Sequence, residues 1–224
     1  MARVRIACLH TAHSNIAVFD SAGVEMGLHA DVLSHTVDPE LLAATERAGY
    51  LPPDIADRTR AMLVALLEDA DVVLLTCSTL GPVIDRLGPA LQRRVLRVDA
   101  ELARLAVTQG GRVAVLCAAQ TTLDSTTALF DMAARHTGAV VKVEVVPQAW
   151  ERFKQGDQGG YASLIVAAAQ AAYAAGADVV ALAQSSMAPA AQMVLTAGRV
   201  PSIKPGTLLT SPGAGLAAAI KAAS

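Results

Sequence analysis

The sequence is poor in aromatic residues, has no basic run and holds an odd number of cysteines. Aromatics make up 3% of the 224 residues, and the formal net charge is −2. Because no Lys/Arg run is interleaved with aromatics, the electrostatic footprint of a nucleic-acid-binding surface is missing. The three cysteines, Cys8, Cys77 and Cys117, argue against a framework of disulfides.

The sequence also lacks a long uninterrupted hydrophobic run. Only positions 161–183 approach a membrane-spanning length, and Gln170, Gly176 and Asp178 interrupt them. The strand-like segment 4–9 follows the first residues directly, with no signal peptide before it. We therefore expect a cytoplasmic enzyme whose partners include neither a membrane nor nucleic acid.

Short apolar runs alternate with helical patterns along the whole chain. Apolar residues make up 53% of the sequence, and strands that alternate with helices indicate parallel sheets with right-handed crossovers. The predicted strands cover residues 4–9, 32–37, 72–76, 95–98, 112–116, 140–146, 179–183 and 207–210. The pattern predicts an α/β protein.

The second half of the chain repeats the first half at a constant offset. The segment DVVLLTCSTLGP at 71–82 aligns with DVVALAQSSMAP at 178–189, and RIACL at 5–9 aligns with RVAVL at 112–116. This duplication predicts two similar lobes, each a parallel sheet flanked by helices, related by a pseudo-twofold axis with the active site between them. The expected domains are residues 1–108, 109–205 and a final strand and helix, 206–224, that packs back on the N-terminal lobe, with Gly110 and Gly111 at the lobe boundary.

Three loops resemble those of the aspartate/glutamate/hydantoin racemase superfamily. LTCST at 75–79 is similar to the family's first catalytic-cysteine motif, AAQTTLDS at 118–125 resembles the loop after the second half's opening strand, and GADVVALAQSSM at 176–187 resembles the segment with the second catalytic cysteine. The resemblance implies a cofactor-independent enzyme of two lobes that transfers a proton next to a substrate carboxylate. Gln184 stands where the second cysteine belongs.

The resemblance makes Cys77 the expected catalytic residue, because a thiolate is an effective base and the surrounding loop residues can direct N–H groups at it. Cys8 and Cys117 are expected to be buried fillers. His10, at a strand end, is the expected replacement for the missing second acid/base. His10 and His13 alone are too few ligands for a metal site, so none is expected.

Hydroxyl and amide side chains of the loops after the strands are the expected substrate-binding groups. A helix N-terminus adds partial positive charge to such a cradle. The expected residues are Thr11, Ser14, Asn15, Ser78, Thr79, Thr121, Thr122, Gln184, Ser185 and Ser186.

Three functions stay open at this point. The first is a racemase or isomerase that uses Cys77 for proton transfer α to a carboxylate or carbonyl of an amino acid, hydantoin or dicarboxylate. The second is a one-cysteine decarboxylase, lyase or cis-trans isomerase of the same superfamily, because Gln184 cannot exchange protons near neutral pH. The third is a non-catalytic carboxylate-binding protein. Ala-rich helices also offer a surface for a homodimer or higher homo-oligomer.

Overall fold

The computed structural model describes residues 4–109, 111–197 and 206–223 and divides into two compact units. The first unit comprises Met1–Glu101 with Pro212–Ser224, and the second comprises Leu102–Ser211. Each unit contains one four-stranded parallel sheet flanked by helices. The predicted α/β class, with one parallel sheet flanked by helices in each of two units, is therefore confirmed. Within the described ranges, no helix is both long enough and apolar enough to cross a membrane.

The sheet of the first unit has the strand order β2-β1-β3-β4. Its strands are β1 (Ile6–His10), β2 (Leu33–Val37), β3 (Val72–Leu75) and β4 (Val95–Arg97). The central strands β1 and β3 are buried along their whole length, whereas the edge strand β2 is only partly buried. Continuous burial explains why β1 and β3 are continuous apolar runs instead of alternating patterns.

The sheet of the second unit has the corresponding order β6-β5-β7-β8. Its strands are β5 (Arg112–Cys117), β6 (Val140–Val145), β7 (Val179–Leu182) and β8 (Thr207–Thr210). Pairing registers confirm the duplication: Ile6 pairs with Val72 in the first sheet, and their counterparts at the offset of the sequence repeat, Val113 and Val179, pair in the second. The sequence repeat is thus a repeat of backbone geometry.

Helices connect the strands in both units. They are α1 (Ser14–Glu25), α2 (Pro39–Ala48), α3 (Pro53–Leu66), α4 (Pro82–Asp85), α5 (Pro89–Gln92), α6 (Val98–Gln109), α7 (Leu123–Ala134), α8 (Ala149–Lys154), α9 (Gln158–Ala174), α10 (Ala191–Ala197) and α11 (Ser211–Ala223). Short 3-10 turns at Ser78–Leu80, Gln120–Thr122 and Ser185–Ala190 follow β3, β5 and β7. All three turns begin at the same short distance after their strands.

The predicted domain bounds differ from the observed division in the last strand. β8 pairs with β7 and so completes the second sheet, whereas the prediction places residues 206–224 on the N-terminal lobe. Only α11 follows that prediction, since Pro212–Ser224 belongs to the first unit. β8 is the counterpart of β4, but it lies further along the chain than the offset of the repeat predicts. Val73 pairs with Val95 in the first sheet, whereas its counterpart Val180 pairs with Leu208 in the second. The predicted boundary residues 110 and 205 lie outside the described residues.

Helix α1 has no counterpart among the predicted elements. Its buried residues are Asn15, Phe19 and Gly23, spaced four apart. One aromatic flanked by an amide and a glycine makes no apolar stripe, so the periodicity that indicates an amphipathic helix is missing. By contrast, α2 begins at a favourable N-cap, because the Asp38 carboxylate accepts a hydrogen bond from the Glu40 N–H.

The two faces of the first sheet pack against different clusters. Ala7 and Leu9 of β1 join one cluster with residues of α2, α3 and the turn after β3, which we call the α3-side cluster. Ile6 and Cys8 join Phe19 of α1 and Leu216 of α11 in another, which we call the α1-side cluster. This division follows from the alternation of side chains along a strand.

A buried ion pair between Arg97 and Asp99 lies at the carboxyl end of β4. The Arg97 guanidinium donates to both Asp99 oxygens at 2.9 Å, and Arg97 and Asp99 are 7% and 2% exposed. Gly81 lies directly under this guanidinium, because a Cβ there would overlap the Arg97 Nη2. The ion pair requires a residue without a side chain at position 81.

We expect Gly81→Ala to lower the free energy of unfolding by about 2–4 kcal/mol, because the added methyl displaces a buried, paired charge. Urea denaturation followed by circular dichroism measures the change. Gly88→Ala is the matched control, since a Cβ at that glycine meets nothing within 4 Å. Equal effects of the two substitutions would contradict this account of Gly81.

Candidate active site

Cys77 lies between β3 and the 3-10 turn that follows it. Its backbone is extended, with φ −103° and ψ 114°, and Ser78 begins the turn. The side chain is partly buried and packs against the α3-side cluster. Cys8 and Cys117 are fully buried in their strands, as the sequence predicts. Cys77 is therefore the only one of the three cysteines with exposed surface.

Four groups near the Cys77 sulfur favour its thiolate. Hydrogen bonds from the hydroxyls of Thr11 and Thr79 and from the backbone N–H groups of Thr79 and Leu80 lower the pKa of the thiol, and the Leu80 N–H also donates to the Cys77 carbonyl at 3.2 Å. Burial acts in the opposite direction and is the largest effect, so the pKa of Cys77 lies above its ordinary value. The resting group is a thiol with a prepared set of donors for its thiolate.

His10 is the centre of a chain of polar side chains. Its Nδ1 lies 2.8 Å from the Thr76 hydroxyl, and its Nε2 lies 2.9 Å from the Nδ1 of His35. The His35 Nε2 in turn lies 3.0 Å from a carboxylate oxygen of Asp20. Burial, with a smaller contribution from His35, lowers the pKa of His10 to about 4. His10 is therefore neutral at physiological pH.

Strand alternation places His10 and Cys77 on opposite faces of the sheet. His10 contacts Phe19, which belongs to the α1-side cluster, whereas Cys77 packs against the α3-side cluster. His10 has no exposed surface, and both of its ring nitrogens have protein partners. This arrangement gives no support to the predicted role of His10 as an acid/base that meets substrate.

The counterpart of Cys77 in the second unit, Gln184, uses its side-chain oxygen on the backbone. The Gln184 Oε1 accepts hydrogen bonds from the N–H groups of Ala118 and Ala119, the latter at 2.8 Å. At the offset of the sequence repeat, Ala118 is the counterpart of Thr11, the residue that contacts Cys77. Gln184 and Cys77 thus contact equivalent loops in their own units, one through an amide oxygen and the other through sulfur.

The two serines after Gln184 face different partners. The Ser185 hydroxyl is buried and lies 3.2 Å from the hydroxyl of Ser211. The Ser186 hydroxyl lies 2.9 Å from the phenol of Tyr161, whose pKa is raised by burial. Both serines therefore belong to hydroxyl pairs inside the second unit.

The hydroxyl residues that follow β5, which include the predicted Thr121 and Thr122, are largely engaged within their own turn. Thr122 is buried and donates to the carbonyl of Ala119 at 2.8 Å, and the Ser125 hydroxyl donates to the carbonyl of Thr122 at 3.1 Å. Thr121, in contrast, is exposed. Of the three, only Thr121 presents its side chain freely to solvent.

The remaining predicted residues lie at the start of α1 and in the turn after β3. Ser14 is exposed at the start of α1, whereas Asn15 and Ser78 are each 6% exposed. The Asn15 side-chain oxygen is buried and has no hydrogen-bond partner among the described residues. A buried acceptor without a partner costs about 1–3 kcal/mol, and a ligand that brings an N–H or O–H donor would remove that cost.

Sequence reasoning missed several polar residues of these sites: Asp20, His35, Tyr161 and Ser211. His35 faces Cys8 across the β1–β2 register, so correct pairing of the two strands could have identified it. The other three lie in helices, where their spacing along the chain gives no sign of their partners. Only the three-dimensional structure shows the contacts of these three residues.

Solved structures of racemases share this fold. An aspartate racemase from Picrophilus torridus is 15% identical, with a TM-score of 0.71 over 98% of this chain and 94% of its own. A glutamate racemase isoform from Bacillus anthracis is 16% identical, with a TM-score of 0.65 over 99% and 80%. An allantoin racemase from Klebsiella pneumoniae is 12% identical, with a TM-score of 0.63 over 97% and 86%.

Identities as low as these establish a common fold and nothing finer. No curated protein matches the chain by sequence. The family model described as Asp/Glu/Hydantoin racemase, however, matches residues 7–211. This match covers both units, including Cys77 and Gln184 with their equivalent loops, and on this ground the chain belongs to the Asp/Glu/hydantoin racemase family.

Proposed function

We propose that the protein is an isomerase-type enzyme that uses Cys77 to transfer a proton at the carbon next to a carboxylate or carbonyl of a small substrate. The observation that carries this proposal is the set of four donors around the Cys77 sulfur. A sulfur that alternates between thiol and thiolate needs such donors, because they stabilise the charged form at the moment when the proton leaves. Membership of the racemase family supports the same chemistry.

The raised pKa of Cys77 specifies which direction of transfer is favoured. A protonated thiol at neutral pH donates its proton to a carbanion or enolate that forms beside it, and the resulting thiolate accepts the hydrogen bonds of Thr11, Thr79 and Leu80. In the reverse direction, the thiolate removes the α-proton from the substrate. The sulfur alone therefore exchanges this proton with retention of configuration, and a change of configuration requires a second group that transfers a proton on the opposite face.

Gln184 supports chemistry on one face. Two-base racemisation requires a second group that exchanges protons on the opposite face, and an amide cannot do so near neutral pH. The Gln184 oxygen is moreover engaged by two backbone N–H groups. This favours, as a second candidate, a one-cysteine decarboxylase, lyase or cis-trans isomerase, in which the protonated thiol returns a single proton.

The names of the neighbouring solved structures support a substrate that carries N–H groups. They are racemases of glutamate, aspartate and allantoin. We therefore rank amino acids and hydantoins above simple dicarboxylates as substrates.

The raised pKa of the Cys77 thiol also favours a non-catalytic alternative. A small-molecule binding protein on this scaffold needs no thiolate, so it tolerates a Cys77 whose burial outweighs its hydrogen bonds. Such a protein would bind its ligand without exchanging any substrate hydrogen with solvent. Isotope exchange therefore separates the two functions.

We expect the protein to exchange the α-hydrogen of its substrate with deuterium from solvent, and Cys77→Ala to reduce that rate by about 10²–10⁴-fold, the usual contribution of a positioned acid/base. Amino acids, hydantoins and dicarboxylates are screened in D₂O by NMR. Cys117→Ala is the control for removal of a thiol elsewhere. An identified substrate that turns over equally well with Cys77→Ala would show the mechanism to be wrong.

We expect exchange to be faster for one enantiomer of the substrate than for the other, by at least about tenfold, because the chain offers a sulfur on one face only. Gln184→Cys supplies a second sulfur and should raise exchange of the slow enantiomer, whereas Gln184→Ser should not. The two enantiomers are followed separately by NMR. Comparable rates for both enantiomers in the unmodified protein would contradict chemistry on one face.

We expect iodoacetamide to alkylate Cys77 with a pH midpoint above about 8.5, the ordinary value for a free thiol, because burial raises its pKa. Thr11→Val removes a hydrogen bond to the thiolate and should move the midpoint higher still. Peptide mass spectrometry distinguishes Cys77 from the buried Cys8 and Cys117. A midpoint below that of a free thiol would contradict the dominance of burial.

A further inference from the structure

Three side chains with metal-ligating atoms converge beside β1, on the face opposite Cys77. The Cys8 sulfur and one ring nitrogen each of His10 and His35 all lie within 4.8 Å of one another. Cys8 and His10 are two residues apart on β1, and His35 pairs with Cys8 in the β1–β2 register, so all three project from one face. The cluster is independent of the proposed function, which rests on Cys77.

The hydrogen bonds of the two histidines are compatible with a shared metal ion. When the Thr76 hydroxyl donates to the Leu9 carbonyl at 3.0 Å, the His10 Nδ1 donates to the Thr76 oxygen and the His10 Nε2 keeps a lone pair. The His35 Nε2 carries a proton toward the Asp20 carboxylate, so the neutral His35 Nδ1 also has a lone pair, 2.9 Å from the His10 Nε2. In this arrangement a cation between the two nitrogens stabilises both. Without an ion, the Thr76 hydroxyl donates to the His10 Nδ1 and the His10 Nε2 donates to the His35 Nδ1.

We propose that Cys8, His10 and His35 form a binding site for a divalent transition metal ion of borderline softness, with zinc as the most suitable. Two imidazoles and one thiolate are ligands that zinc and cobalt accept in tetrahedral sites with a fourth position for water. Zinc bonds of about 2.0–2.3 Å place ligand atoms roughly 3.3–3.8 Å apart. The cluster therefore closes on an ion with side-chain shifts of about 1 Å.

The groups behind the two histidines have the character of outer-shell partners. Metal-bound histidines donate their second ring N–H to a carboxylate or other acceptor, which fixes the ring orientation. Asp20 supplies such a carboxylate to His35, and Thr76 supplies a hydroxyl oxygen to His10. An ion with two positive charges would also balance the charge of the buried Cys8 thiolate, while the half-exposed Asp20 carboxylate accepts the hydrogen bond of His35 beside it.

The site has an entry route on one side. Cys8 and His10 are fully buried, whereas the side chains of His35 and Asp20 are 12% and 54% exposed. An ion would enter past Asp20 and then link the central strand β1 to the edge strand β2 through His35. Binding should therefore stabilise the first unit, since an ion that binds only the folded state adds to its stability.

Cobalt(II) titration of the metal-free full chain tests the site directly. We expect one ion per chain, with a thiolate-to-cobalt charge-transfer band in the near ultraviolet and the visible d–d bands of tetrahedral cobalt. Cys8→Ser should abolish the charge-transfer band, and His35→Gln should weaken binding at least about tenfold. Asp20→Asn should weaken it about 10–100-fold, the usual effect of losing an outer-shell partner.

The chain provides matched controls for these variants. Cys117→Ser removes another buried strand cysteine, and His29→Gln removes another histidine beside an aspartate, since the His29 Nδ1 lies 2.6 Å from an oxygen of Asp31. Both should bind cobalt as the unmodified chain does. His35→Gln keeps the test valid if Cys8→Ser does not fold, which circular dichroism determines.

Three results would overturn the proposal. The first is no stoichiometric cobalt binding, in which case a proton between His10 and His35 accounts for their contact. The second is binding that persists unchanged in both Cys8→Ser and His35→Gln. The third is loss of the charge-transfer band in Cys77→Ser with the band kept in Cys8→Ser, which would place the ion at the other cysteine. None of these readouts depends on turnover of a substrate.

Discussion

The alternation of side chains along β1 and β3 is the constraint on which the chemistry of the first unit depends. Leu9 pairs with Leu75, so the residues just beyond this pair are sorted to the two faces of the sheet in register. Thr11 and Cys77 lie toward the α3-side cluster, while His10 and Thr76 lie toward α1. The carboxyl end of the sheet thereby carries two separate groups of polar side chains, one on each face.

Burial keeps both Cys77 and His10 uncharged, with opposite consequences for their protons. On one face, burial keeps the Cys77 thiol protonated, yet four donors are in place for its thiolate. On the other face, burial lowers the pKa of His10 and keeps it neutral, which suits a ligand or a hydrogen-bond link better than a proton donor. Desolvation acts on both groups, but it favours the protonated form of a thiol and the deprotonated form of an imidazole.

The sequence predicts the parts of this structure that are encoded locally. The buried central strands, the internal repeat and the turn after β3 follow from apolar runs and from matched loops, and the structure contains all of them. Cys77 and Thr79 come together because they are neighbours in that turn. His35 and Asp20 could not be assigned to His10, because their contacts depend on strand pairing and on the position of α1, for which the chain has no apolar stripe.

The divergence at Gln184 has a physical consequence beyond the loss of a sulfur. The Gln184 oxygen occupies the N–H groups of Ala118 and Ala119, at the place in the second unit that corresponds to the loop beside Cys77. The Gln184 amide oxygen therefore leaves neither of these backbone N–H groups without an acceptor, and an amide exchanges no proton near neutral pH. Cys77 instead receives its hydrogen bonds from the Thr11 side chain and from residues of its own turn. Equivalent positions of one repeated backbone thus carry side chains of different chemistry, each matched to the hydrogen-bonding groups of its own unit.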